Sequence, residues 1–235
     1  MKGTDKAILL NRISYSESSL ILTFYTFRNG IQKFIFQGGK KKAHQLFPLS
    51  ISEITFYKRP DSDLGKITSV DCFQILNEVP FNPIKSTVAF FIGEVLLKCL
   101  KTEEAENVLF EFLHREIVSL DESEDIILFP VLFLLEFSFH MGILPQIEGE
   151  KGTYFNVMEG LFSDRKPIGD IFFDGEPVLL LVKMIQGVEN KELRAFGSKK
   201  TREEALQIMI QYYQLHIPQF KQLNTFEVIQ EILYT

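Results

Sequence analysis

Lys40, Lys41 and Lys42 follow one another directly behind the pair Gly38-Gly39. Consecutive ammonium groups on a glycine-containing loop can contact successive phosphates of a polyanion. A run of lysines is also common in loops that are merely solvated, so the triplet alone leaves both interpretations open. Eight cations of the first 60 residues are candidate contacts to a nucleic-acid backbone: Arg12, Arg28, Lys33, Lys40, Lys41, Lys42, Lys58 and Arg59.

Basic residues are concentrated at the start of an acidic chain. Residues 1–80 contain 11 Lys or Arg and 7 Asp or Glu. Of the chain's 25 basic and 31 acidic residues, 14 basic and 24 acidic ones therefore lie in residues 81–235. The net charge of −6 argues against indiscriminate binding to nucleic acid, so any such binding must be local. A second basic group lies near the end of the chain and consists of Lys199, Lys200, Arg202 and Lys221. These residues either extend a path for DNA, receive an acidic partner or are ordinary solvated surface.

No pattern of catalytic or metal-binding residues stands out. The four histidines lie far apart, and neither a phosphate-binding P-loop nor a nucleophile elbow is present. Cys72 and Cys99 lack metal-ligand spacing, which excludes a cysteine-based zinc site and indicates a reducing cytoplasm. The ten uncharged residues 126–135 are too few to span a bilayer and favour a buried helix. We therefore expect no enzyme activity, no cofactor, no metal and no membrane partner.

The first 80 residues have the pattern of strands. β-branched and aromatic residues between short turns predict five strands, which fit an OB-fold, a small Greek-key barrel. Arg28-Asn29-Gly30 predicts a hairpin turn in which Asn-Gly supplies positive φ, and alternation directs Phe34 and Phe36 inward. Tyr25 or Tyr57 could stack on bases. The predicted strands are 6–13, 18–27, 31–36, 49–58 and 66–76, with 38–45 as a loop and 60–63 as a turn.

Helical signals begin at Asn82-Pro83, where Asn82 can cap and Pro83 suits a first turn. The acidic run 121–125 predicts a solvated junction at the start of a third helix, and Thr201 with Glu204 predicts a capping box. The predicted class is α+β, with an OB-fold at 1–80 and a mainly helical domain at 81–235 that contains a hairpin at 146–175. The predicted helices are 83–100, 103–120, 124–141, 176–186, 201–216 and 225–233.

Distinctive motifs occur at both ends of the chain. The closing stretch Tyr212–Leu223 contains a Tyr followed by a Leu-x-x-Pro-x-Phe-Lys-x-Leu pattern. Near the start, a Lys-Ala-Ile-Leu-Leu strand at 6–10 is followed by the segment Ser-Glu-Ser-Ser-Leu-Ile at 16–21 and by Tyr25-Thr26 before the Gly30 turn, and Gly142-x-x-Pro145 follows a predicted helix. In this order the motifs resemble those of the RecO family of bacterial recombination mediators.

The resemblance implies an N-terminal OB-fold, a helical domain and, in many members, a zinc ribbon of four cysteines. Residues 146–175 occupy the ribbon position without a cysteine, so we expect a degenerate, metal-free hairpin. Glu136 stands where many relatives carry an Arg of the surface for the C-terminal tail of single-stranded-DNA-binding protein (SSB).

The same resemblance implies a mediator of DNA repair and homologous recombination, in the cytoplasm and associated with the nucleoid. It implies non-specific binding of single- and double-stranded DNA, annealing of complementary strands, and loading of RecA on SSB-coated DNA together with RecR and, in some members, RecF. Two alternatives remain open: a cytoplasmic protein-interaction scaffold that binds no nucleic acid, and a sequence-specific regulator. The acidic helical part speaks against the second alternative.

Overall fold

The N-terminal part is a closed five-stranded barrel. The computed structural model describes residues 2–59, 62–101, 105–168 and 171–234, apart from the side chains of Asn190 and Arg194. The strands close in the order β1-β2-β3-β5-β4, and every pair is antiparallel except β3 with β5. This confirms the predicted OB-type barrel. The strands are β1 Lys2–Ser14, β2 Leu20–Thr26, β3 Gly30–Phe36, β4 Ile51–Tyr57 and β5 Leu64–Cys72.

Phenylalanines fill the barrel interior. Phe34 is fully buried, and its ring centroid lies 4.9 Å from that of Phe56 and 6.3 Å from that of Phe24. Gly65 on β5 makes room for this ring, because a Cβ there would lie 2.5 Å from the Phe34 side chain. Lys33 is exposed between buried neighbours, so the predicted alternation along β3 is confirmed.

Of two local predictions in the barrel, the hairpin is confirmed and the loop at 38–45 is wrong. Thr26 pairs with Gly30, so the β2–β3 loop is Phe27, Arg28 and Asn29. The positive φ of 61° comes from Gly30, and Asn29 does not have one. The stretch predicted as a loop at 38–45 instead contains a 3-10 helix, Gly39–Gln45, preceded by Gly38 at φ 73°. Part of the predicted turn at 60–63, namely Pro60 and Asp61, lies outside the described residues.

Two helices complete the first of two compact units, Met1–Ser123. Helix α1 runs Pro83–Cys99, and the Asn82 side chain accepts hydrogen bonds from the Ile84 and Lys85 amides at 3.0 and 3.3 Å, as predicted. Helix α2 runs Asn107–Glu122, and the predicted start at Glu103 lies outside the described residues. The boundary at residue 80 stays a prediction.

Asp121 contradicts the prediction of a solvated junction at 121–125. Its carboxylate is 5% exposed and accepts hydrogen bonds from three consecutive backbone amides, those of Asn77, Glu78 and Val79, at 2.7–2.8 Å. The Lys85 ammonium group donates to the Asp121 carbonyl oxygen at 2.6 Å. Asp121 therefore ties the end of α2 to the segment that leads from the barrel into α1.

The second compact unit, Glu124–Thr235, is mainly helical. Its centre is aromatic, with the Tyr213 ring centroid 5.1 Å from that of Phe220 and 6.4 Å from that of Phe137. None of the helices within the described ranges is long and apolar enough to cross a membrane. The helices are α3 Phe129–His140, α4 Glu176–Ile185, α5 Asn190–Ala195, α6 Lys199–His216 and α7 Phe226–Tyr234.

Several helix boundaries differ from the prediction. Helix α3 begins at Phe129 rather than 124, with Pro130 in its first turn, where a missing amide proton costs nothing. The capping box of α6 is formed by Ser198 and Thr201, not by Thr201 and Glu204. The short helix α5 was not predicted.

The described residues between 146 and 174 contain a four-stranded sheet, and a carboxylate fixes one of its loops. The predicted hairpin is present as β7 Tyr154–Asn156 and β8 Leu161–Ser163, and β6 Gln146–Glu148 and β9 Phe172–Asp174 extend it in the order β6-β8-β7-β9. Asp164 accepts hydrogen bonds from the amides of Glu150, Lys151 and Gly152 at 2.8–3.0 Å. Within the described part of the chain, no group of His, Cys, Asp and Glu residues is placed to hold a metal ion.

We predict that Asp121→Ala lowers the free energy of unfolding by about 3 kcal/mol, because three backbone amides lose a charged acceptor in a buried place. Urea denaturation measures the loss. The control is Glu122→Ala at the exposed neighbouring position. An Asp121 variant as stable as the Glu122 variant would show that the three hydrogen bonds contribute nothing net.

We predict that the Asp164 loop loosens only in acid. Its amide hydrogen bonds, first that of Glu150, lower the pKa of Asp164 below the ordinary 3.8 against a smaller opposing effect of desolvation. The stabilisation is therefore complete above pH 3.8 and is lost as the pH falls through the lower folded pKa. NMR titration of the Gly152 amide follows the loss of its hydrogen bond to Asp164 in acid. This pH-dependent change should be absent in Asp164→Asn and present in Asp174→Asn.

Candidate nucleic-acid interface

The lysine triplet lies on the 3-10 helix that follows β3. Lys40 and Lys41 are exposed, whereas the Lys42 ammonium group donates to the Val70 carbonyl oxygen of β5 at 3.0 Å. The helix packs closely on the barrel, since a Cβ at Gly39 would lie 2.8 Å from the Phe36 ring. Two of the three lysines therefore face solvent from a fixed support, and the third fastens that support to the sheet.

Arg12 holds the other end of the same helix. Its guanidinium group donates to the carbonyl oxygens of Ala43 and Leu46 at 2.9 and 2.7 Å. The Ala43 carbonyl oxygen also accepts from the Leu46 amide at 3.2 Å, and a cation at this end of a helix meets the negative end of the helix dipole. The structure thus gives Arg12 a structural role, and a role in DNA binding stays a prediction.

Arg28 and the lysine triplet are at opposite ends of β3. Arg28 is exposed in the β2–β3 hairpin, where its amide donates to Asp5 at 3.1 Å. Burial raises the pKa of Asp5, against the opposing effect of the Arg28 and Asn29 hydrogen bonds. The seven residues of β3 span about 20 Å, so Arg28 does not share one small site with Lys40 and Lys41.

The remaining predicted cations of the barrel lie between these ends. Lys33 is exposed on β3, and Arg59 is exposed two residues after β4. The Lys58 ammonium group donates to the Gln32 side-chain oxygen and is half-buried. The predicted cations are therefore distributed over the barrel rather than gathered at one point.

Lys66 and Lys2 were missed by the sequence reasoning. Both are exposed and lie opposite Tyr57 in the sheet, Lys66 on β5 and Lys2 on β1. The outward alternation of β5 could have indicated Lys66. Tyr57 is 49% exposed, whereas the other predicted stacking residue, Tyr25, is fully buried. Its ring stacks on Phe110 of α2 and its hydroxyl donates to the Glu106 carbonyl oxygen at 3.4 Å, so Tyr25 cannot reach a base.

The second basic group is not a single patch. Lys199, Lys200 and Arg202 are in the first turns of α6, where the Lys200 ammonium group lies 3.7 Å from the Glu204 carboxylate. Lys221 follows the other end of this 18-residue helix, which is about 27 Å long. Phe220 packs on Tyr213 near that end. The structure therefore separates Lys221 from the other three.

The helical unit exposes an aromatic and an acidic side chain together. Phe139 near the end of α3 is 67% exposed, and Glu136 is exposed one turn earlier. Three residues along a helix place two side chains on neighbouring parts of its surface. Glu136, which stands where the resemblance implies an Arg, thus lies on an accessible face of α3.

An OB-type barrel with solvent-facing lysines, followed by a helical part with a small cysteine-free sheet, defines a two-part protein whose N-terminal fold is one that binds oligonucleotides in many other proteins. Family models for the N-terminal and C-terminal parts of recombination protein O match residues 1–76 and 80–224. The chain belongs to the RecO family, which confirms the resemblance, and its role therefore lies in DNA repair and recombination.

Similar proteins match nearly the whole chain. A DNA repair protein RecO of Phocaeicola vulgatus is 31% identical in an alignment 233 positions long that covers 96% of this chain and 96% of that protein. The DNA repair protein RecO of Flavobacterium psychrophilum is 29% identical in an alignment 239 positions long that covers 99% of both chains. That of Bacteroides fragilis is 26% identical in an alignment 234 positions long that covers 96% of both chains.

We predict that Arg12→Ala loosens the 3-10 helix, because the Ala43 and Leu46 carbonyls lose a cationic donor. Hydrogen exchange of the amides at 41–46 should quicken by about fivefold, which corresponds to about 1 kcal/mol of local stability. Arg28→Ala, a change to an exposed arginine at the far end of β3, should leave these amides unchanged. Equal exchange in both variants would contradict the role given to Arg12.

Proposed function

We propose that the barrel binds DNA backbones without sequence preference, in single and double strands, and promotes annealing of complementary strands. The observation that carries the proposal is the pair of exposed ammonium groups, Lys40 and Lys41, on a helix that Arg12 and Lys42 fix to the barrel. A fixed support lowers the conformational entropy lost when the lysines meet phosphates. The contacts are to phosphates, so they carry no sequence information.

Annealing follows from charge neutralisation. Two complementary strands repel each other through their phosphates, and lysines that bind one strand lower this repulsion for the other. Annealing of this kind requires only that the protein bind DNA, and no covalent bond is made or broken by the protein. The acidic remainder of the chain limits the contact to the barrel, because residues 81–235 carry ten more acidic than basic groups.

We further propose that the protein helps to load RecA on SSB-coated DNA together with RecR, with RecF as an additional partner, on the nucleoid in the cytoplasm. Membership of the family supports these partners. The helical unit would receive the SSB tail, and Phe139 offers it an exposed aromatic contact. Because Glu136 repels an acidic tail, the proposal places the acidic groups of that tail away from Glu136.

A salt titration tests the barrel's part. Single-strand affinity is measured against salt concentration for the wild type and for Lys40→Ala/Lys41→Ala, with Lys42 kept because of its hydrogen bond to Val70. The slope of log affinity against log salt should shrink by up to about 1.4, at roughly 0.7 for each lost phosphate contact.

The matched control removes two exposed lysines from outside the barrel, Lys101→Ala/Lys151→Ala, and should leave the slope unchanged. An equal slope for wild type and Lys40/Lys41 variant would remove the 3-10 helix from the interface. Absence of any DNA binding at low salt would favour the protein-interaction scaffold instead.

A further inference from the structure

One row of outward-facing side chains runs around the open side of the barrel. Strand register places Lys2 opposite Tyr57, Tyr57 opposite Lys66, and Lys66 opposite Ile35. The row continues from Ile35 to Ile21 on β2 and from Ile21 to Ile13 on β1. We call these six residues the outer belt: Lys2, Tyr57, Lys66, Ile35, Ile21 and Ile13.

The outer belt combines two lysines with four apolar or aromatic side chains, of which two are well exposed. Tyr57 is 49% exposed and Ile13 is 54% exposed, and Ile35 and Ile21 are half-buried between them. Leu64, which is 41% exposed, lies beside the belt on β5. Directly opposite Leu64 is the exposed Lys33 of β3. Tyr57 is thus flanked by Lys2 and Lys66 on the two neighbouring strands, and Leu64 has Lys33 beside it.

The other side of the barrel is closed by helices of the same unit. Ile8 and Tyr25 are paired and point outward, yet both are fully buried. Phe110 of α2 covers Tyr25, and α1 approaches β1 so closely that a Cβ at Gly93 would lie 3.1 Å from the Leu10 carbonyl oxygen. OB-folds commonly bind oligonucleotides on the face of strands 2 and 3. Here α2 occupies part of that face, and the open surface lies over β3, β5 and β4.

We propose that the outer belt binds the unpaired bases of single-stranded DNA, with Tyr57 as the stacking residue and Lys66, Lys2 and Lys33 on the flanking phosphates. This rests on the proposed function and adds the form of DNA that the site selects. The lysines favour a polyanion as the ligand. The exposed Tyr57 ring and the isoleucines favour a polyanion whose bases have exposed planar faces. A single strand offers both, whereas a duplex hides its base faces and offers phosphates alone.

The barrel then has two kinds of contact. Lys40 and Lys41 act on the phosphates of either form of DNA, and the outer belt adds affinity for single strands only. A protein that anneals strands benefits from this division, because the product duplex keeps the first contact and loses the second. The belt therefore favours release of the product relative to the substrate.

The test compares Tyr57→Ala with wild type on a single strand and on its duplex. Loss of stacking should weaken single-strand binding by about tenfold, and duplex binding should change less than twofold. Tyr57→Phe keeps a planar ring and should bind the single strand like wild type. Phe81→Ala, at an aromatic side chain that is 82% exposed outside the belt, should affect neither.

A second measurement does not depend on removing the ring. The chain contains no Trp, so Tyr57→Trp introduces a single indole reporter. A single-stranded oligonucleotide should quench its fluorescence and the duplex should not, whereas the Trp in Phe81→Trp should respond to neither.

Three outcomes would overturn the inference. Equal losses on single strand and duplex in Tyr57→Ala would show that Tyr57 does not contact bases. Binding of DNA by wild type with no effect of Tyr57→Ala and no quenching in Tyr57→Trp would reject the belt and leave the proposed function intact. Failure of wild type to bind either form of DNA would reject the proposed function itself.

Discussion

Parallel pairing of β3 with β5 is the constraint on which the barrel surface depends. Three residue pairs, Lys33 with Leu64, Phe34 with Gly65 and Ile35 with Lys66, close the sheet on itself. The middle pair is possible because Gly65 has no side chain where the Phe34 ring lies. The two flanking pairs then set the order of cations and apolar groups outside. The same contact that fills the core therefore decides which side chains are neighbours on the surface.

Cations in this barrel serve two different purposes. Arg12 and Lys42 donate to backbone carbonyls and hold the 3-10 helix, whereas Lys40 and Lys41 face water from that helix. Charge alone does not separate these groups. Their positions relative to backbone carbonyls do, because the end of the 3-10 helix and strand β5 each offer a carbonyl oxygen within reach of a long cationic side chain.

Alternation of residue types was enough to predict the barrel, the inward Phe34 and the outward Lys33, because period-2 patterning reports directly on a two-sided sheet. Local sequence patterns failed for Tyr25 and Asp121. The Tyr25 side chain points outward as alternation requires, but α2, more than 80 residues later, covers it. Asp121 was assigned to solvent as part of an acidic run, although three amides from 77–79 surround it. Both errors arise from contacts between distant segments, which local patterns do not contain.

The Asp164 carboxylate has a consequence for the conditions under which the small sheet folds. Residues 146–175 contain no cysteine, and the loop at 150–152 is held by amide hydrogen bonds to a carboxylate. Zinc ligation by thiolates and thiol oxidation therefore play no part in the stability of this sheet.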